Sequence, residues 1–184
     1  MKLSDISFKD SSFEECILAT GIEDTEELIE LRARNKSIQS VTELKYFPNL
    51  KLLDLTRNQI TEIDLFDNPE LEELYLGSNE IEELDLSCNT KLRHLEIFIN
   101  DISYIDLTNL SELENIYASK NDLVSLNLEN NPRIEEVQLS NNELEELVLP
   151  NDCELFSVKV ENTKLNEETI ELLKSKVSAH NFKS

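Results

Sequence analysis

The sequence predicts a flattened parallel β-solenoid: short strands on one broad face, short strands or extended segments on the other, and helices closing both ends. Three observations predict it. An apolar phrase, L-x-x-L-x-L-x-x-N, recurs along the chain; five segments carrying it align without gaps at a period of 21 residues; and the sequence on either side drops the phrase and becomes amphipathic. Self-similarity at a fixed period marks stacked copies of one small unit, each burying its apolar side against its neighbours.

The first element comes from SSFEECILA. Ser12 is expected as its N-cap, with Glu15 completing a capping box and Phe13, Cys16 and Ile17 on one helix face. An open solenoid must cover its first apolar layer, and a helix within residues 1–27 is expected to do that. A first coil then starts at Leu28, keeps Leu28, Leu31, Ala33 and Ile38 at the repeat offsets, and lasts 22 residues. Val41, Leu44 and Phe47, spaced i, i+3, i+6 ahead of Pro48, predict a helical turn inside it.

The regular coils begin at Leu50, Leu71, Leu92, Leu113 and Ile134. Within each, L-x-L has the period of a strand, so Leu74 and Leu76 point inward while Glu73, Tyr75 and Gly77 point outward. Asn58, Asn79, Asn100, Asn121 and Asn142 fall at one offset, where the chain must turn. An amide both donates and accepts, so these side chains are expected to satisfy turn backbone groups and to link adjacent coils. The second half of each coil repeats the device: Ile60, Ile63, Leu65 and Asn68 match Leu50, Leu53, Leu55 and Asn58. Leu110 and Asp152 stand where this second ladder calls for Asn, and Ala118 thins the core, which predicts a slightly irregular second face.

A degenerate coil from Leu155 keeps Leu155, Val158, Val160 and Leu165 and ends the solenoid, residues 28–165. Asn166 is then expected to cap a helix that turns Ile170, Leu173 and Val177 inward, with Glu167 and Glu168 favourably placed in its first turn. This C-terminal cap and tail occupies residues 166–184. With both ends closed, the chain is expected to be complete.

The formal net charge is -22, from 39 Asp and Glu against 17 Lys and Arg. Such a surface repels nucleic acid and anionic membranes and suits a basic protein partner. The excess is concentrated in residues 61–154, which hold 24 acids and 4 bases. Cys16, Cys88 and Cys153 are odd in number and widely separated, so a disulfide framework is not expected. The N-terminus lacks an apolar signal core, and no run reaches the roughly 18 apolar residues of a membrane span, so a cytoplasmic location is expected.

The repeated L-x-x-L-x-L-x-x-N-x-I/L resembles the leucine-rich repeat family. Its nested 21-residue form is similar to a bacterial subclass, and the stretch from SFEECILATGIEDTEEL to NLKLLDL resembles the N-terminal cap and first coil of Bacteroidetes-type repeat proteins. The resemblance spans roughly residues 12–165. It implies protein recognition on an exposed strand face, without catalysis.

The outward strand positions form columns whose members sit about 4.8 Å apart in neighbouring coils. Asp54, Glu73, Tyr75, His94, Glu96, Phe98, Tyr117, Glu136 and Gln138 gather there as a candidate protein-binding site, since rigid aromatics ringed by charge are the usual form of a binding hot spot. Phe98 has the alternative of folding into a gap. On the other face Asp64, Asp85 and Asp106 recur at one offset, either accepting backbone hydrogen bonds or forming a stripe whose like charges raise some pKa values. No metal or cofactor is expected: His94 and His180 are distant, no glycine-rich phosphate loop exists, and neither Cys88 nor Cys153 has a histidine at a suggestive spacing. The expected function is a non-enzymatic protein-interaction module, monomeric when free. An immunity protein masking a basic toxin and a structural or self-associating protein are the alternatives.

Overall fold

A computed structural model describes residues 1–177 and 181–183. After the helix α1 (Ser11–Leu18), strands β1 (Glu30–Arg32), β2 (Leu52–Asp54), β3 (Glu73–Tyr75), β4 (His94–Glu96) and β5 (Asn115–Tyr117) follow one another. Then come β6 (Ser125–Asn127), β7 (Glu136–Gln138), β8 (Glu146–Val148), β9 (Ser157–Lys159), the helix α2 (Glu167–Lys176) and β10 (Phe182–Lys183). Eight strands form one sheet in the order β1-β2-β3-β4-β5-β7-β9-β10, and β6 and β8 pair on the opposite face. Every ladder is parallel.

The 21-residue period fixes the register. Leu53 pairs with Leu74, Leu74 with Leu95, Leu95 with Ile116, Ile116 with Val137 and Val137 with Val158. All six are fully buried, and each such side chain contributes about 1.5–3 kcal/mol of transfer free energy. The turn predicted before Pro48 is a 3-10 helix, Thr42–Tyr46, flanked by the buried Val41 and Phe47.

The first asparagine ladder ties each coil to the one before it. Asn100 Nδ2 donates to Ile97 O in its own coil at 3.0 Å and to Leu76 O in the preceding one at 3.1 Å, while its Oδ1 accepts from Ile81 N at 3.1 Å. Asn79, Asn121 and Asn142 make the same three bonds. The second ladder differs. Asn68, Asn89 and Asn131 use both Nδ2 hydrogens on carbonyls, but their buried Oδ1 atoms have no partner.

At the N-terminal cap the structure corrects the sequence reading. The N-cap of α1 is Asp10, not Ser12. Asp10 Oδ1 accepts from Ser12 N and Phe13 N, at 2.9 and 3.0 Å, and Oδ2 accepts from Gln39 N and Ser40 N in the first coil, at 2.7 and 3.2 Å. A carboxylate has acceptor sites for both groups of donors; a serine hydroxyl reaches one. Asn166 caps α2 as expected, accepting from Thr169 N.

The last regular coil also departs from the template. Asp152 is exposed and Cys153 enters the buried layer in its place. A carboxylate has no hydrogen to give the carbonyls that an asparagine would satisfy, and Lys176 Nζ reaches back to Asn151 O at 2.8 Å and Pro150 O at 3.4 Å. Strand β10, beyond α2, has no counterpart in the sequence reading: two residues are too few to display a period. Cys16, Cys88 and Cys153 are free thiols.

Candidate functional site

Three rings stack diagonally across the central strands. The His94 ring on β4 lies 4.8 Å from that of Tyr75 on β3 and 5.2 Å from that of Tyr117 on β5, centroid to centroid. The repeat register places them there, because Glu73 pairs with His94 and His94 with Asn115 while the tyrosines sit one column over.

Each ring is tied to a carboxylate. Tyr75 Oη donates to Glu73 Oε2 and Tyr117 Oη to Glu136 Oε2, both at 2.7 Å, and His94 Nε2 is 3.0 Å from Glu96 Oε1. Burial, reinforced by these hydrogen bonds and the surrounding negative charge, pushes both phenols well above their ordinary value. They are therefore neutral donors throughout the ordinary pH range. At one edge Asp54, 7% exposed, accepts from Thr56 N at 3.0 Å and has Arg34 Nε at 3.7 Å.

Phe98 does enter a gap, and Gly77 makes it. A Cβ on Gly77 would stand 2.5 Å from Phe98 Cε1 and Cζ. Beside this ring a shallow groove of about 490 Å³ is lined by Glu96, Phe98, Ile99, Tyr117, Ser119, Lys120 and Gln138. The sequence reading missed Ile99 and Lys120, which belong to no strand column. Both have left-handed backbone, as do Arg57, Ser78, Asn141 and Asn162 at the same offset, with φ between 55° and 61°. The asparagines at that offset were the available signal, since Asn tolerates this conformation.

On the opposite face the recurring aspartates accept backbone hydrogen bonds. Asp64, Asp85 and Asp106 each take the N–H two residues on, from Phe66, Ser87 and Thr108, at 3.0, 2.8 and 2.9 Å. The Ser87 N–H and the Thr108 hydroxyl lead the causes that lower the pKa of Asp85 and Asp106 respectively. Of the two alternatives the sequence offered, backbone hydrogen bonding holds, and at Asp85 and Asp106 it lowers the pKa where a like-charge stripe would have raised it.

Among the described residues no group of three or more His, Cys, Asp and Glu side chains is placed to hold a metal ion. None of their helices is long and apolar enough to cross a membrane. His180 lies outside the described residues.

No family model and no curated protein matches the chain. Solved structures do. The functional domain of InlJ from Listeria monocytogenes matches with a TM-score of 0.79 at 23% identity, over 87% of this chain and 38% of that one. An internalin, InlF, from Listeria monocytogenes matches with a TM-score of 0.84 at 23% identity, over 95% of this chain and 56% of that one. The fold is a leucine-rich repeat solenoid. A leucine-rich repeat protein of Leptospira interrogans matches less closely, with a TM-score of 0.57 at 21% identity over 74% of this chain and 44% of its own. The present chain thus spans between about two fifths and three fifths of the length of these proteins.

The comparison also overturns the expected cytoplasmic location: the internalins sharing this solenoid are bacterial surface or secreted proteins. That expectation rested on an N-terminus without an apolar core. In a chain matching only part of its structural relatives, such a start carries no information about location.

Proposed function

We propose that this chain is a non-enzymatic protein-interaction module that engages a basic protein through the outward strand face of its central coils. One observation carries the reading: the Tyr75–His94–Tyr117 stack, with every ring half-buried and bonded to a carboxylate. Aromatic side chains held in place before binding lose little conformational entropy when a partner covers them. Glu73, Glu96 and Glu136 retain free lone pairs for Lys or Arg, and the rings offer their faces to the same cations. Phe98 and Gln138 extend the contact surface along the groove, and Asp54, in register with Tyr75, bounds it on the side of the first coils.

In this reading residues 28–165 are the binding solenoid, residues 1–27 and 166–184 are its caps, and the module acts as a monomer without a cofactor. The nested half-repeat and the amphipathic N-terminal segment support a place in the bacterial 21-residue subclass with a Bacteroidetes-type cap. The test is affinity capture from the source cell followed by calorimetric titration of the purified partner. Tyr75→Ala combined with Tyr117→Ala should weaken binding more than tenfold with the circular dichroism spectrum unchanged; equal affinity would remove this face as the site.

A further inference from the structure

The second broad face carries a groove independent of the aromatic stack. Three adjoining depressions of about 640, 370 and 260 Å³ all include Asp85 in their lining and run together across the coils that begin at Leu50, Leu71 and Leu92. Phe66 and Tyr104 stand in the walls, each 67% exposed, Phe66 in a lining that includes Ile63 and Tyr104 in one that includes Leu84. The two rings stand well out of the core, one in each of two adjoining depressions, and offer apolar surface at two points of an otherwise acidic face.

The charge around that patch has one sign. The lining holds eight carboxylates and no Lys, Arg or His. The repeat could have paired them: on the neighbouring flank Lys51 meets Glu72, Lys91 meets Glu70, and Arg93 meets Glu114, each one coil away. Among the described residues none of the eight groove carboxylates has such a cation within ion-pair distance. Lys45 lines a further depression with Glu62, Ile63 and Asp64 but is turned over the Tyr46 ring, its Nζ 5.1 Å from the centroid; the other bases of this region are on the flank, and the groove is left to a cation from elsewhere.

We infer that this face docks an extended protein segment in which Lys or Arg alternates with apolar side chains. In an extended strand successive side chains point to opposite sides, so one edge of such a segment meets the carboxylates while the other covers Phe66 and Tyr104. A cation seated by Tyr104 also gains from the ring face. An acidic or purely polar segment fits neither feature.

The repeat itself supplies fold-neutral test variants. Ser87 occupies the offset of Phe66 one coil later, and Ser125 that of Tyr104, so Phe66→Ser with Tyr104→Ser introduces residues the coil already accepts. The probe is an octapeptide alternating Arg and Leu, titrated by calorimetry at low salt, with alternating Arg–Ser and Glu–Leu peptides as controls. The Arg–Leu peptide should bind, at least tenfold more tightly than either control. Binding should fall at least tenfold in the double serine variant and hold in the Tyr75→Ala, Tyr117→Ala variant, which separates this groove from the strand face. Failure of the Arg–Leu peptide to bind, equal binding of the Arg–Ser peptide, equal binding to the serine variant, or loss in the strand-face variant would each overturn the inference.

Discussion

The Phe98 ring occupies the space that a side chain on Gly77 would need, with two of its carbons 2.5 Å from the position of a Cβ there. Gly77 has no left-handed backbone to preserve, so Gly77→Ala leaves the strand geometry possible and pushes only the far end of a movable ring. The expected outcome is displacement of Phe98 and a reshaped groove beside Tyr117, with the solenoid intact. Phe98 ring resonances should shift while the melting temperature changes by only a few degrees. Unmoved Phe98 resonances would show that the ring does not depend on the glycine.

Ile99 sits at φ 55° and is 43% exposed. A left-handed conformation costs an L-residue roughly 1–2 kcal/mol, least for Gly and Asn and more for a β-branched side chain. Asn141 and Asn162 already stand at this offset. Ile99→Asn should therefore stabilise the protein by about 1 kcal/mol in urea unfolding, through removal of backbone strain. A destabilised variant would mean that Ile99 packing outweighs the backbone term.

The two asparagine ladders look alike in sequence and differ in energetics. Asn100 makes three bonds to buried backbone groups; Leu76 O and Ile97 O also accept from Asn79 and Asn121, so removing its side chain leaves the Ile81 N–H unpaired, at about 1–3 kcal/mol. Asn131 satisfies two carbonyls but buries an unpartnered oxygen, and Leu110 occupies its offset one coil earlier. Asn131→Leu thus removes one penalty, and Leu107 O and Leu110 O still accept from Leu110 N and Leu113 N. Chemical denaturation should rank Asn100→Leu as the costlier change by more than about 1 kcal/mol; the reverse order would refute the distinction.

This contrast also locates the limit of what the residues alone disclose. The 21-residue period placed every inward leucine and both amide ladders, because register in a solenoid is set by repetition and small shifts would expose a whole apolar layer. It placed Tyr75, His94 and Tyr117 in neighbouring columns for the same reason. It could not disclose that Tyr117 bonds to Glu136 while Tyr75 turns to Glu73, since column positions carry no rotamer information. Nor could it identify Asp10, whose second oxygen finds Gln39 and Ser40 only once the cap has folded against the first coil.

Asp10 supplies a pH-dependent test of that docking. Burial pushes its carboxyl up, but the N–H groups of Gln39, Phe13, Ser40 and Ser12 outweigh it and hold the pKa below the usual carboxylate value. A folded-state pKa below the unfolded one means that the stabilisation is complete above the unfolded value, near 3.8, and is lost as pH falls through the folded value. Asp10→Asn keeps one acceptor oxygen but turns an amide toward N–H donors, at a cost of about 2 kcal/mol near neutrality. The gap in unfolding free energy between the native chain and the variant should narrow as pH drops below about 4, since only the native chain then loses this carboxylate. Other carboxylates held low, such as Asp85 and Asp106, titrate alike in both proteins and cancel in the difference. A gap constant from pH 7 to pH 2 would mean that the Asp10 charge contributes nothing to holding α1 against the first coil.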